Sequence, residues 1–185
     1  MIGAPAALTL FADLVRASGG GQVADVGCGP GDVTALLCDL GVEAFGIDLS
    51  PAMIELARRE HPELRFEVGS MTDLALADAA VDGLVAWYSV IHVPDDVIPR
   101  VFAHFHRVVR PGGVVMLGFH VGDEHRFKTS GYGGQPMSVH VHLRPTDRVA
   151  ALLHDAGLIV KARCVQEPDT PSSVPQAYLI ARRQD

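Results

Sequence analysis

A glycine-rich turn between an apolar strand and a helix is the feature that constrains this chain most. The apolar run Gln22–Val26 precedes the sequence GCGPG at positions 27–31, and a helical pattern follows over Val33–Leu40. Glycine lets the backbone approach a ligand closely and turns N–H groups into the crevice at the carboxyl ends of a parallel sheet. Asp48 ends the second predicted strand, where a carboxylate accepts both hydroxyls of a ribose. The turn alone would also suit a plain strand-to-helix connection, but together with Asp48 it predicts a nucleoside-binding α/β fold.

Apolar strand patterns alternate with helical patterns along most of the chain, which predicts parallel strands joined by right-handed crossovers. The last two strands, Leu158–Val165 and Gln176–Ala181, have no helix between them and are predicted to form an antiparallel hairpin. We predict one α/β domain over residues 1–185, with a Rossmann-like doubly wound sheet of seven mostly parallel strands in the order 3-2-1-4-5-7-6. Residues 1–21 are predicted to hold a short N-terminal helix, and residues 121–144 an irregular segment.

Composition excludes several other classes of protein. With 48% apolar and 20% charged residues, the chain is unlike a disordered segment or a coiled coil. No apolar run reaches the roughly 18 residues that cross a membrane, and a net charge of −7 disfavours nucleic acid as a partner. The three scattered cysteines, Cys28, Cys38 and Cys164, do not suit a disulfide framework. We therefore expect a cytoplasmic protein with no membrane and no nucleic-acid partner.

The spacing of the glycines favours a ligand without a pyrophosphate. The dinucleotide fingerprint is G-x-G-x-x-G, but here the third glycine, Gly31, comes one residue early and Asp32 occupies its usual place. A carboxylate at a helix N-terminus would repel a pyrophosphate. A nicotinamide-dependent oxidoreductase is therefore the disfavoured alternative.

Five segments, taken in order, carry the motifs of a known family. The sequence is DVGCGPG at residues 25–31 and GIDLSPAM at residues 46–53, and residues 66–71, 81–92 and 107–113 continue the series. These segments resemble the first motif, the second-strand signature, the adenine-contacting turn, the fourth strand and the turn before the fifth strand of the class I S-adenosylmethionine-dependent methyltransferases. The antiparallel terminal hairpin is also typical of that family. The resemblance covers nearly the whole chain and implies S-adenosyl-L-methionine as cofactor and S-adenosyl-L-homocysteine as product.

The resemblance implies a role for each residue that matches a family motif. Asp25 lies near the amino group of the methionine portion, and Asp48 binds the ribose hydroxyls. Ser70 stands where many relatives have an acid that accepts from the adenine amine. The serine accepts more weakly, and Asp73 is either a substitute acceptor or a plain loop acid. The implied cofactor contacts are Asp25, Gly27, Cys28, Gly29, Asp48, Leu49, Met53, Gly69, Ser70, Met71 and Trp87.

The acceptor side is predicted from the polar residues that follow the fourth and fifth strands. Tyr88 and His92 are the predicted catalytic residues, and His92 is either a general base or a histidine that hydrogen-bonds within a loop. The segment 121–144 is predicted to cover the acceptor site. Its histidines either line that site, hydrogen-bond locally or bind a metal, and we predict no metal. The residues expected to contact the substrate are Tyr88, His92, His120, His140 and His142, and the same part of the chain carries His125 and Tyr132.

These residues imply transfer of a methyl group from S-adenosylmethionine to an O, N or C atom of a small-molecule acceptor, by in-line displacement. The alternative is a non-catalytic S-adenosylmethionine-binding subunit of a complex. Arg126 or Arg144 either holds an acidic acceptor or is an ordinary surface arginine. Only 21 residues precede the first predicted strand. The site is therefore closed by residues 121–144, by a second subunit in a homodimer, or by a front end that this chain lacks.

Overall fold

The secondary structure follows the alternation of strands and helices that the sequence predicts. A computed structural model describes residues 4–130, 136–168, 170 and 173–184. The strands are β1 Gln22–Val26, β2 Glu43–Asp48, β3 Phe66–Val68, β4 Val81–Trp87, β5 Val109–His120, β6 Glu124–Ser130, β7 Pro136–Leu143, β8 Leu158–Gln166 and β9 Gln176–Arg183. The helices are α1 Ala4–Ala17, α2 Asp32–Asp39, α3 Pro51–Glu60, α4 Ile98–Val108 and α5 Thr146–Asp155, with a 3-10 turn at Val90–His92.

The main sheet has seven strands in the order β3-β2-β1-β4-β5-β9-β8. The first five strands of this order are parallel, and β9 lies antiparallel between β5 and β8. The predicted order 3-2-1-4-5-7-6 is confirmed, because β8 and β9 are the sixth and seventh strands of the prediction. The carboxyl ends of β1, β2 and β4 therefore meet at the same end of the sheet, where the glycine turn lies.

Helices cover both faces of the sheet. On one face, Phe105 of α4 and Leu153 of α5 belong to the same buried cluster as Leu84 of β4. On the other face, Phe11 of α1 belongs to a second buried cluster with Val85 of β4. Neighbouring residues of a strand point to opposite faces, so a strand buried on both sides must be apolar throughout. This explains the continuous apolar run of β4.

The described helices are short, between 8 and 14 residues. None of them is long and apolar enough to cross a membrane.

Residues 121–144 contain regular secondary structure where the sequence predicted an irregular segment. In place of an irregular segment, β6 and β7 form an antiparallel hairpin of their own, with His125 opposite His142 and Arg126 opposite Val141. The prediction of irregular structure was wrong because the glycines and histidines of this segment obscured a strand pattern. Val139, Val141 and Leu143 alternate with polar residues, and the last two are buried against the main core. Tyr132 lies outside the described residues.

Candidate functional site

The glycine turn after β1 is shaped by the end of β4. Gly27 has a φ of 78°, and a Cβ added there would lie 2.2 Å from the Cβ of Ser89. Only glycine combines this left-handed backbone with so close an approach. Gly29 also has a positive φ, but a Cβ added there would meet nothing within 4 Å. The backbone at Gly29 therefore faces open space, as a ligand-binding turn requires.

Asp48 ties the glycine turn to the start of α3. Its Oδ2 accepts a hydrogen bond from the Gly29 N–H at 2.9 Å, and its Oδ1 accepts one from the Ser50 N–H at 2.8 Å. Each carboxylate oxygen has a second lone pair, so the side chain, which is only half-buried, can still accept hydroxyl donors. The position suits the ribose contact that the sequence predicts.

Exposed apolar side chains surround Asp48. Leu49, the next residue, is 71% exposed, Met53 in the first turn of α3 is 37% exposed, and Val68 is 53% exposed. Val68 lies opposite Asp48 in the pairing of β2 with β3. Apolar surface beside a hydroxyl-accepting carboxylate suits a flat, uncharged ring. Leu49 and Met53 were predicted from motifs. Val68 was not, although its position at the end of β3 was a usable signal.

Asp25 is fully buried and only half satisfied. Thr34 Oγ1 donates to its Oδ2 at 2.7 Å, whereas its Oδ1 is buried with no hydrogen-bond partner. Burial is the main cause that raises the pKa of this carboxyl to about 7, and the charge of Asp48 raises it further. An unpaired buried carboxyl oxygen is costly, and a cationic amino group would satisfy it.

The Asp25 carboxyl makes the stability of the ligand-free protein depend on pH. Its folded-state pKa lies above the unfolded value of about 4, so it destabilises the folded protein progressively as the pH rises from about 4 to about 7. The asparagine side chain in Asp25→Asn cannot ionise, so this variant does not lose folding stability in this way as the pH rises. We expect its Tm at pH 8 to exceed that of the wild type by about 4 °C or more, since 1 kcal/mol corresponds to roughly 2–4 °C at this size. Near pH 4 the two Tm values should converge.

Thermal melts at several pH values, without ligand, measure this difference. Asp39→Asn is the matched control, because Asp39 is exposed on α2. Parallel Tm–pH curves for the wild type and Asp25→Asn would contradict the assignment of a raised pKa to Asp25.

The turn after β3 is held by its own hydrogen bonds. Ser70 Oγ lies 2.8 Å from Thr72 Oγ1 and accepts from the Thr72 N–H at 3.2 Å. Gly69 N–H donates to the Asp48 carbonyl oxygen, and Met71 Cε would lie 3.4 Å from a Cβ at Gly27. This turn therefore lies beside the glycine turn. Asp73, the alternative acceptor, is exposed, and its negative charge acts on His104 of α4.

Two predicted cofactor residues direct their side chains into packing. Cys28 is buried in a small cluster with Ile54 and Phe66, and burial raises the pKa of its thiol. Only the backbone of Cys28 is left to face a ligand. The Trp87 ring stacks on the Tyr178 ring, with centroids 5.1 Å apart and planes 6° apart, so its main contact is within the sheet.

Tyr88 stands at the end of β4 in a strained conformation. Its φ of 51° is rare for a bulky residue, and the backbone is held there by the N–H bond to the Gly118 carbonyl oxygen. The phenol hydrogen-bonds to Gln176 and, at 3.1 Å, to Tyr178 Oη. Burial raises the pKa of the phenol, which therefore stays protonated. Its ring centroid lies 5.0 Å from that of His120.

Four of the five residues predicted to contact the substrate line two pockets, and Tyr88 is not among the residues that line either one. His92, His140 and His142 line a pocket of about 470 Å³ on one side of the β6–β7 hairpin. His120 lines a second pocket of about 260 Å³ on the other side, next to Tyr88. His140 and His142 share a face, as their spacing predicts. Within the described ranges, no three His, Cys, Asp or Glu side chains are grouped so as to hold a metal ion.

His92 is oriented by the hairpin. Its Nδ1 lies 2.9 Å from the carbonyl oxygen of His140. A carbonyl can only accept, so Nδ1 carries the proton and the neutral ring has its lone pair on Nε2. Ser89 is a residue that the motifs did not single out. It is buried, and its hydroxyl donates to the Val26 carbonyl oxygen at 2.6 Å, which joins the end of β4 to the glycine turn.

The fold and this site are typical of nucleoside-binding α/β proteins. Comparison with known proteins then indicates which family within this class the chain resembles. The family described as "Methyltransferase domain" matches residues 23–113. Malonyl-[acyl-carrier protein] O-methyltransferase of Pectobacterium atrosepticum is 36% identical over 117 residues, covering 57% of this chain and 45% of that protein. The matches span less than half the length of the curated relatives.

Two solved structures share the fold over nearly the whole chain. An S-adenosylmethionine-dependent methyltransferase from Methanosarcina mazei aligns with a TM-score of 0.77 and 21% identity, covering 89% of this chain and 93% of that one. The 1,6-didemethyltoxoflavin-N1-methyltransferase of Burkholderia thailandensis, solved with its namesake compound and S-adenosylhomocysteine, aligns with a TM-score of 0.73 and 22% identity. It covers 98% of this chain and 80% of that one.

The match to residues 23–113, just under half of the chain, and the similar proteins and structures together support a class I S-adenosylmethionine-dependent methyltransferase. The matched segment, residues 23–113, contains every residue that was predicted to contact the cofactor. The hairpin and the end of β5, which carry His120, His140 and His142, lie outside this segment, whereas Tyr88 and His92 lie within it.

Proposed function

We propose that this protein transfers a methyl group from S-adenosylmethionine to an O, N or C atom of a small-molecule acceptor. The observation that carries the proposal is the arrangement of Asp25, Gly29 and Asp48 around one open turn. The buried, unpaired Oδ1 of Asp25 fits an amino group. The backbone at Gly29 faces open space, and Asp48 keeps lone pairs for ribose hydroxyls. The exposed apolar side chains of Leu49 and Met53 fit the adenine ring.

When bound, S-adenosylmethionine supplies an electrophilic methyl group whose leaving group, a thioether, is neutral. The protein's part is then to align the acceptor, exclude water and remove a proton where the acceptor carries one. We assign removal of the acceptor's proton to His92 Nε2. The Nδ1 atom of the same ring donates its proton to the His140 carbonyl oxygen, so Nε2 carries the basic lone pair. Tyr88 is assigned to positioning, since its protonated phenol is tied to Gln176 and Tyr178.

The acceptor pocket is proposed to be closed by the β6–β7 hairpin, whose inner face, the side of Arg126, Lys128, Val141 and Leu143, lines a pocket with His120. A homodimer in which a second copy completes the cover is the alternative arrangement. We also propose that the protein works in the cytoplasm, on the ground of its scattered cysteines.

Calorimetric titration with S-adenosylhomocysteine and S-adenosylmethionine tests cofactor binding. At a ligand concentration 100 times the Kd, binding stabilises the folded state by about 2.7 kcal/mol, so the Tm should rise by roughly 5–10 °C. No binding heat together with an unchanged Tm would refute the proposal.

Methyl transfer is tested with radiolabelled S-adenosylmethionine and a panel of small molecules. We expect label in at least one acceptor. Cofactor binding without transfer to any acceptor would favour the second candidate, a non-catalytic cofactor-binding subunit. One observation favours that candidate. The Ser70 hydroxyl is already hydrogen-bonded to Thr72, so it is a weaker acceptor for the adenine amine than the carboxylate of an acid would be.

A further inference from the structure

The smaller of the two pockets lies between the end of β5 and the inner face of the hairpin. It has a volume of about 260 Å³, which suits a compact molecule. Its floor and walls combine apolar and basic or neutral polar groups, principally His120, Arg126, Lys128, Val141, Leu143 and Gln176.

A short series of contacts connects this pocket with the glycine turn. The His120 ring lies 5.0 Å from the Tyr88 ring, and Tyr88 is followed by Ser89, which packs against Gly27. His92 is also near enough for its charge to lower the pKa of His120. A molecule in this pocket therefore lies beside the proposed cofactor site, whereas His92, the proposed base, lines the other pocket.

The charge of the pocket is opposite to that of the protein. The chain carries a net charge of −7, yet none of the described residues that line this pocket is acidic. Arg126 is paired with Glu124 on the same strand, with Nε 2.8 Å from Oε1. Lys128 forms no ion pair with any described residue. The local balance of Glu124, Arg126 and Lys128 is thus one positive charge.

His120 adds a neutral donor to this charge. Its Nδ1 is buried and has no hydrogen-bond partner in the described part of the chain. Burial lowers its pKa, and the charges of Lys128, His92 and Arg126 lower it further, so the ring is neutral near pH 7. A neutral imidazole presents one N–H donor and one lone pair. Because it is uncharged, His120 leaves the net charge of the pocket unchanged.

We propose that the acceptor is a small carboxylic acid whose carboxylate binds to Lys128, with Arg126 and His120 as further donors. This inference rests on the proposed function and specifies its substrate class. A single carboxylate matches the single unbalanced positive charge and can take two or more donors. The carboxylate anchors the molecule, and the methyl group goes to another atom, because an oxygen paired with an ammonium is a poor nucleophile.

Binding of simple acids and their amides to the full-length protein tests this proposal. Succinate and benzoate are titrated against succinamide and benzamide by calorimetry, with and without S-adenosylhomocysteine. We expect each acid to bind at least about tenfold more tightly than its amide, as loss of one charged hydrogen bond implies. Equal affinities of acid and amide would overturn the proposal. Tighter binding of phenyl phosphate than of benzoate would assign the pocket to phosphate esters instead.

Lys128→Gln provides the residue-level test, and the chain contains its matched control. The only other lysine, Lys161, is exposed on β8. We expect Lys128→Gln to weaken acid binding by about tenfold and to leave the Kd of S-adenosylhomocysteine unchanged, whereas Lys161→Gln changes neither. Unchanged acid binding in Lys128→Gln would overturn the assignment. Failure of the proposed function would show differently, as absent binding of S-adenosylhomocysteine while the acids still bind.

Discussion

Replacing His92 with alanine is expected to lower the turnover number by roughly 10²–10⁴-fold while leaving the Kd of S-adenosylhomocysteine unchanged. The reason is the orientation of the ring. The His140 carbonyl oxygen accepts from Nδ1, so the basic lone pair is on Nε2, the other ring nitrogen. Because His92 lies in the 3-10 turn beyond β4 and lines the pocket with His140 and His142, its loss should not affect the cofactor.

The measurement is the rate of methyl transfer to the acceptor found in the panel, as a function of pH, with added imidazole as a rescue agent. A missing base should be partly replaced by free imidazole, whereas a missing structural contact should not. His154→Ala is the control, because His154 is exposed on α5. Full turnover in His92→Ala would show that His92 is not the general base and that the protein contributes to catalysis through alignment alone.

Asp48→Ala is expected to weaken the binding of S-adenosylhomocysteine by more than about tenfold. Hydrogen bonds to a charged group contribute about 1.5–3 kcal/mol each, which corresponds to roughly 10–100-fold in affinity. The substitution removes the acceptor for ribose hydroxyls and also releases the N–H groups of Gly29 and Ser50. Both effects act on the same part of the site, so the affinity should fall even where the fold is kept.

Calorimetry of Asp48→Ala and Asp48→Asn, with circular dichroism of each variant, separates the two effects. Asparagine keeps the shape and one acceptor oxygen, so its affinity should lie between those of the alanine variant and the wild type. Glu43→Gln, at the other end of β2, is the control and should bind normally, because Glu43 is exposed and far along the strand. An unchanged affinity in Asp48→Ala would remove the ribose assignment.

The features predicted well from the sequence are those set by local chemistry and strand periodicity. The glycine turn, the acid at the end of β2 and the apolar run of β4 each have a short-range cause, and the order of the main sheet follows from the alternation of elements. The shared face of His140 and His142 follows from the two-residue repeat of a strand. The family motifs then predict that Asp25 and Asp48 contact one ligand.

The orientation of side chains could not be predicted in the same way, because it depends on which side of a strand or turn packs against the rest of the molecule. Cys28 belongs to the turn, but its side chain is taken up by packing against Ile54 and Phe66. Trp87 ends β4, yet its ring stacks on Tyr178 of β9, which is distant in sequence. In neither case does the local sequence contain the partner that determines the orientation.

The sequence by itself determined that this chain builds a doubly wound sheet with a cofactor turn at its first strand, because glycine conformation, strand periodicity and capping act over a few residues. Only the tertiary structure decided how the acceptor side is arranged. The docking of the β6–β7 hairpin turns Arg126 and Lys128 toward His120, and turns His140 and His142 toward His92. Alternation divides a strand into two faces, but packing of Val141 and Leu143 into the core decides which face is inside.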